Sequence, residues 1–203
     1  MVKIALLGGT GGCGSAFLQY ALDAGHTIVM LARSPSKVTT THQNLIVVEG
    51  DGTNAKDVSL LCSDGVDVLV SCAGSARIME SLATNCVAAC KEHNIDRCYF
   101  ITSLGMGGSS PTIRFILGCI VSFGNINDCE KADKIILDAG FTAIRPTELT
   151  DKGEPLGKYN ATSDTGMSLA GAVHKSDVGK FICDELDKNE WAGKPVQVYK
   201  ARI

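Results

Sequence analysis

"VKIALLGGTGGCGSAF", Val2–Phe17, runs from an apolar segment straight into five glycines within seven positions, Gly8 to Gly14. Glycine weakens strands and helices, so a cluster of it marks backbone that turns sharply or must approach something closely. Gly8, Gly11 and Gly14 stand at G-x-x-G-x-x-G spacing between an expected strand and an expected helix. In such a unit the glycines let the backbone reach a pyrophosphate, and the helix N-terminus supplies amide donors and a favourable dipole. Gly12 and Cys13 belong to the same loop, and Thr10 and Ser15 add hydroxyls. A glycine turn as such needs no ligand; its place at the head of a βαβ unit is what argues for a dinucleotide.

Beyond this loop, strand and helix signals alternate to the end of the chain. Segments 2–7, 27–32, 44–50, 66–74, 97–103, 141–146 and 195–200 read as short apolar strands. Segments 14–24, 54–62, 76–93, 127–139 and 175–187 read as helices, with Gly25 ending the first. Continuously apolar strands separated by helices predict an α/β fold, a single Rossmann-like doubly wound parallel sheet with helices on both faces. Residues 1–203 then form a single NAD(P)-binding domain. The least regular segments, 104–126 and 147–174, follow the carboxyl ends of strands, where such folds bind ligands, and are expected to form the substrate side.

Composition narrows the partners. With 203 residues, 45% of them hydrophobic, and a net charge of −3, the chain can bury a full core but presents no basic surface for nucleic acid or an anionic membrane. The nine cysteines are scattered without a C-x-x-C pair, which reads as free thiols in a reducing compartment. The four histidines lie far from any paired cysteines, so no metal site is expected. No signal-peptide layout is seen, and the longest apolar run, "FILGCIVSF" (115–123), is far short of the roughly 20 residues of a spanning helix. A soluble, cytoplasmic protein is expected.

The end of the second strand bears on the choice of coenzyme. NAD-binding domains usually carry a carboxylate there for the ribose 2′-hydroxyl. This chain has "MLARSPSK" instead, with Arg33, Ser34 and Lys37, which suits the 2′-phosphate of NADP(H); the alternative is a solvated basic loop. Asp51, in "EGDGT", either reaches the adenine amino group or, with Thr53, caps the following helix. "CAGSA" (72–76) puts Ala73 and Gly74 beside the coenzyme ribose, or is simply a turn.

Together "LLGGTGGCG", "LARSPSK", "VEGD", "CAG", "ITS", "LDAGFTAIRPTELTDKGEPLGKY" and "VHKSDVGKFICDEL" resemble an atypical short-chain dehydrogenase/reductase, of the NmrA-like and biliverdin-IXβ reductase (flavin reductase) family. The resemblance spans nearly the whole chain and implies that Thr10, Gly11 and Cys13 touch the pyrophosphate. It implies further that Arg33, Ser34 and Lys37 hold the 2′-phosphate, Asp51 the adenine, and Ala73 and Gly74 the ribose. Thr102 and Ser103 match the family's "TS", whose serine lies near nicotinamide and substrate, and Pro146 would approach the carboxamide. The chain departs from the reductase two residues after that proline, where Glu148 replaces a histidine.

Conventional short-chain dehydrogenases use Tyr-x-x-x-Lys as acid and base. Here the residues four positions after Tyr20, Tyr99, Tyr159 and Tyr199 are Ala24, Ser103, Ser163 and Ile203, so alcohol–ketone chemistry through that pair is not expected. Hydride transfer to a planar conjugated acceptor of the flavin, biliverdin or quinone type demands less, because orientation supplies much of the catalysis and water can give the proton. Ser103 and Glu148 are the candidate catalytic residues; otherwise Ser103 caps a turn and Glu148 is a solvated loop carboxylate. Lys131 and Lys134 read as a solvated helix face, Cys13 as a small filler and His174 as structural. The apolar segment 113–126 packs on the sheet, covers a flat aromatic substrate or forms a dimer face. The sequence thus points to an NADPH-dependent oxidoreductase acting on a small planar acceptor, with a monomer expected from the family and a dimer as the alternative. A non-catalytic NADP(H)-binding redox sensor of the NmrA-like type is the other reading, and a sugar-nucleotide epimerase a more distant one.

Overall fold

The computed structural model describes residues 1–75, 77–104, 106, 123–163 and 171–201. Strands β1 (Lys3–Leu7), β2 (Thr27–Ala32), β3 (Leu45–Glu49), β4 (Val68–Ser71), β5 (Arg97–Ile101), β6 (Thr142–Pro146), β8 (Tyr159–Thr162) and β10 (Pro195–Lys200) form one sheet in the order β3-β2-β1-β4-β5-β6-β10-β8. Every neighbouring pair is parallel except β10 with β8. Helices α1 (Gly12–Asp23), α2 (Ala55–Leu61), α3 (Met79–Glu92), α4 (Phe123–Asp138) and α5 (Lys175–Lys188) cover it on both faces.

Alternate residues of the same strands build two cores, as a period-2 side-chain pattern requires. Ala5, Leu7, Val29, Leu31, Leu69 and Phe100 pack against α2, α3 and α4. Ile4, Leu6, Ile28, Met30, Val68 and Val70 pack on the opposite face against α1 and α5. Burial on both faces explains why these strands carry no polar alternation.

Within segment 147–174, residues 164–170 lie outside the described residues, and the rest carries regular structure. It holds β8 and the strands β7 (Leu149–Thr150) and β9 (Val173–His174), which pair with each other in a second, two-stranded sheet. Two-residue strands show no periodicity, and β8, half-buried at the edge, lacks the apolar run of its neighbours. β8 adds one antiparallel strand at the edge of the otherwise parallel sheet. Most of the apolar segment 113–126 lies outside the described residues; α4 begins at Phe123 rather than 127. Among the described residues no helix is long and apolar enough to cross a membrane.

Helices α1 and α5 approach closely because Gly179 has no side chain. A Cβ there would stand 2.6 Å from Phe17 N and 2.9 Å from Cys13 O. Gly179→Ala is therefore expected to destabilise by about 2 kcal/mol through overpacking, despite alanine's better helix propensity. Thermal unfolding checks this, with Tm falling by roughly 5 °C; an unchanged Tm would mean that the two helices pack less tightly than described.

Candidate functional site

The strand order reverses between β1 and β4, and the crevice above their carboxyl ends is where a doubly wound sheet binds ligands. The glycine loop and the turn Cys72–Ser75 face each other there. Gly8, at φ +79°, accepts a hydrogen bond from the Gly11 amide (3.0 Å), and a Cβ on Gly8 would stand 2.4 Å from Ala73 N. A Cβ on Gly14 would reach 2.1 Å from Gly8 O, one on Gly9 2.1 Å from the Met30 sulfur, and one on Gly12 2.4 Å from the Lys175 stem. Four of the five glycines are thus explained by neighbouring protein atoms. Gly11 is the exception, since a Cβ there would meet only Gly8 O, at 3.4 Å. It is also the N-cap of α1, offers no side chain to the helix amides, and no acidic residue follows in the first turn. The amides of Gly12, Cys13 and Gly14 therefore have no acceptor within the helix and make its N-terminus electropositive.

Gly11→Ala separates the two demands on this loop. Stability should fall by no more than about 1 kcal/mol, whereas a methyl where a pyrophosphate docks should weaken NADPH binding at least about tenfold. Calorimetric titration beside a thermal melt reads both; unaltered affinity would mean that nothing docks against Gly11.

The cleft has two halves that meet at Gly11 and Cys72–Ser75. One, about 400 Å³, is lined by Gly8, Thr10, Gly11, Arg33, Asp51, Ala73 and Gly74 among others. Asp51 Oδ1 accepts from both the amide and the hydroxyl of Thr53, each at 2.8 Å. These bonds, helped by the nearby Arg33 charge, hold its carboxyl below the usual range. The N-cap of α2 is Asn54, which accepts from the Lys56 amide at 3.0 Å, so neither Asp51 nor Thr53 caps that helix. Of the basic loop, Arg33 lines the cleft. Ser34 opens the 3-10 turn Pro35–Lys37, its carbonyl accepting from the Lys37 amide (3.0 Å), and neither Ser34 nor Lys37 is among the lining residues.

The other half, about 380 Å³, extends from Gly12 and Cys13 past Ala73 and Gly74 to Thr102 and Ser103. Thr102 is buried and its hydroxyl donates to Asp133 (2.9 Å); Asp133 in turn binds Arg145 through Nε (3.0 Å) and Nη2 (2.6 Å). Thr102 thus anchors the strand end that presents Ser103. Glu148 stands apart. It is exposed, its carbonyl accepts from the Val173 amide (2.8 Å), and it lines neither half. Pro146, buried at the end of β6 in register with Val198, and Gly14, enclosed by Gly8 and Cys72, also lie outside the lining.

One lysine does line the cleft, and it is neither Lys131 nor Lys134. Those two pair with Glu80 (2.8 Å) and Asp138 (2.6 Å) at exposed positions. The cleft lysine is Lys175, the first residue of α5, whose stem crosses Gly12 and whose ammonium pairs with Asp151. That hydrogen bond raises the lysine's pKa and keeps it charged. No local pattern announces this role, because the contact joins opposite ends of the chain. His174 beside it caps α5, accepting from the Ser176 amide (3.2 Å). Burial pushes the Cys13 thiol up to about 11 against the opposing pull of Lys175, so it is a neutral filler. Among the described residues no tyrosine lines either half: Tyr99 donates to Glu185 O (3.0 Å) and Tyr159 to Asp184 (2.8 Å). Nor does any group of three or more His, Cys, Asp or Glu residues stand ready to hold a metal.

Residues 8–189 match the family model described as NAD(P)H-binding. The chain is 24% identical over 254 aligned positions to the reductase pytE of Aspergillus terreus, covering 96% of this chain and 97% of that protein. Its fold is that of the anaerobillin reductase ChuY of Escherichia coli O157:H7 (TM-score 0.81, 21% identity, 99% and 98% of the two chains). It is likewise that of a wide-type short-chain dehydrogenase/reductase from Veillonella parvula DSM 2008, solved in complex with NADP (TM-score 0.82, 19% identity, 98% and 94%). With its glycine loop, uncapped helix N-terminus and switch-point cleft, this chain belongs to the NAD(P)H-binding family of Rossmann-fold proteins.

Proposed function

We propose that the protein is an NADPH-dependent reductase of a planar conjugated acceptor of the flavin, biliverdin or quinone type. The observation that carries this reading is the two-part cleft, which joins an uncapped helix N-terminus to an apolar recess ending at Ser103. NADPH, when bound, supplies a hydride from its nicotinamide ring. In this reading the α1 amides and Lys175 hold the pyrophosphate, while Arg33, with Ser34 and Lys37 beside it, takes the 2′-phosphate. Ala73 and Gly74 flank the ribose, and the Ser103 hydroxyl hydrogen-bonds the acceptor. An acceptor that is already electron-poor needs orientation more than a strong protein acid, and solvent supplies its proton. Glu148, outside the lining, has no part in that step. The names of pytE and ChuY, both reductases, agree with this reading.

A second reading, an NADP(H)-binding redox sensor, is favoured by one observation: no described carboxylate, imidazole or phenol lines the recess. The deciding experiment follows NADPH consumption by the purified chain with FMN, riboflavin, a quinone and biliverdin in turn. Turnover with one of them supports the reductase. Tight NADPH binding without any turnover transfers the case to the sensor.

A further inference from the structure

The two ends of the cleft treat charge in opposite ways. At the coenzyme end the N-terminus of α1 is uncapped, no acid stands in its first turn, and Lys175 lies alongside. At the acceptor end the neighbouring helix N-terminus is that of α3, whose first residue, Met79, lines the recess. That terminus is already filled. Asp128 of α4 accepts from the Met79 amide through Oδ2 (2.8 Å) and from the Glu80 amide through Oδ1 (3.2 Å). A carboxylate seated there takes up the amide dipoles that would otherwise hold an anion. Glu80, in the same turn, is paired with Lys131.

Much of the remaining described lining suits an uncharged ring, beside the polar Ser75 and Asn125. Leu104, Met106, Ile126 and Cys129 line the recess with Met79, and thioethers pack well against aromatic edges. Burial pushes the Cys129 thiol up to about 11, with Asp128 and Asp133 adding to the shift, so it lines the recess as a neutral group. The cation that lines this half, Lys175, is paired with Asp151 and lies across Gly12, toward the coenzyme end. Apart from Lys175, the described residues that line the recess offer an anion hydroxyls and a side-chain amide but no opposite charge, so an anion drawn to the acceptor end loses hydration with little to offset it.

We infer that the acceptor half selects uncharged flat rings, of the quinone class or an unphosphorylated flavin, and rejects acceptors that carry a phosphate, sulfonate or carboxylate. This rests on the reductase reading and narrows its substrate class. For a quinone the step is quinone + NADPH + H⁺ → hydroquinone + NADP⁺. The hydride brings two electrons and one hydrogen, and solvent brings the second proton. The Ser103 hydroxyl lines the recess and is available to a carbonyl oxygen of the ring.

Matched pairs that differ by one anionic group test the inference: riboflavin against FMN, and 1,2-naphthoquinone against its 4-sulfonate. Binding to the full chain loaded with NADP⁺ is measured by flavin fluorescence quenching and calorimetry, and turnover with NADPH is followed separately. The neutral member of each pair is expected to bind at least about tenfold more tightly. Asp128→Asn removes the charge and keeps an acceptor for one of the two α3 amides, and should narrow the ratio about fivefold. Equal or tighter binding of the anionic members overturns the inference, as does failure of both neutral members to bind. A ratio that Asp128→Asn leaves untouched overturns the assignment to the Asp128 cap. Neutral-selective binding without turnover sinks the reductase reading and leaves the charge selection standing.

Discussion

Replacing Arg33 by Asp is expected to raise the Kd for NADPH about a hundredfold while leaving that for NADH within a few-fold. Arg33 is the cation of the "ARSPSK" loop that lines the cleft, in the half that also holds Thr10 and Asp51, and it is exposed at the end of β2. A hydrogen bond between two charged groups is worth about 1.5–3 kcal/mol, and reversing the charge adds repulsion of the 2′-phosphate, so about two decades of affinity are at stake. NADH carries no such phosphate, and a carboxylate at this place can bind its ribose hydroxyl instead. Because the side chain is exposed, stability should stay within about 0.5 kcal/mol. Parallel titrations with the two coenzymes measure the effect. If the variant kept the wild-type preference, the 2′-phosphate would have to lie elsewhere.

Arg145→Met is expected to produce the largest loss of stability, about 3–5 kcal/mol. Arg145 and Asp133 are 5% and 4% exposed, and the pair is bidentate. Removing the guanidinium leaves a buried carboxylate with only the Thr102 hydroxyl of the partners described above. In a chain of 203 residues the loss corresponds to a Tm lower by roughly 10 °C. The double variant Arg145→Met, Asp133→Leu should recover most of it, because it removes the carboxylate that the single variant leaves buried without its ion-pair partner. Urea or thermal unfolding of both variants decides; a single variant as stable as wild type would show that the pair contributes nothing to the fold. The site should respond as well, since Thr102 immediately precedes Ser103 on the strand end that Asp133 holds.

Much of this architecture is legible along the chain because its signals are local. Apolar strands buried on both faces, helices at 3.6-residue spacing and a glycine loop after the first strand each occupy a few consecutive residues. They follow from side-chain size and backbone freedom alone. The NAD(P)H-binding family and the sheet with its two helical layers were readable for that reason. Short or half-polar elements were not: β7 and β9 have two residues each, and β8 joins the sheet antiparallel only because β10 is there to receive it. The chemistry of the site was the least legible. Lys175 enters the cleft because Gly12 leaves room for its stem, Glu148 is turned out of it by the β7–β9 pairing, and Asp128 neutralises the start of α3 from another helix. Each of these depends on contacts between residues distant in sequence, and no local pattern of side chains encodes which of them will meet.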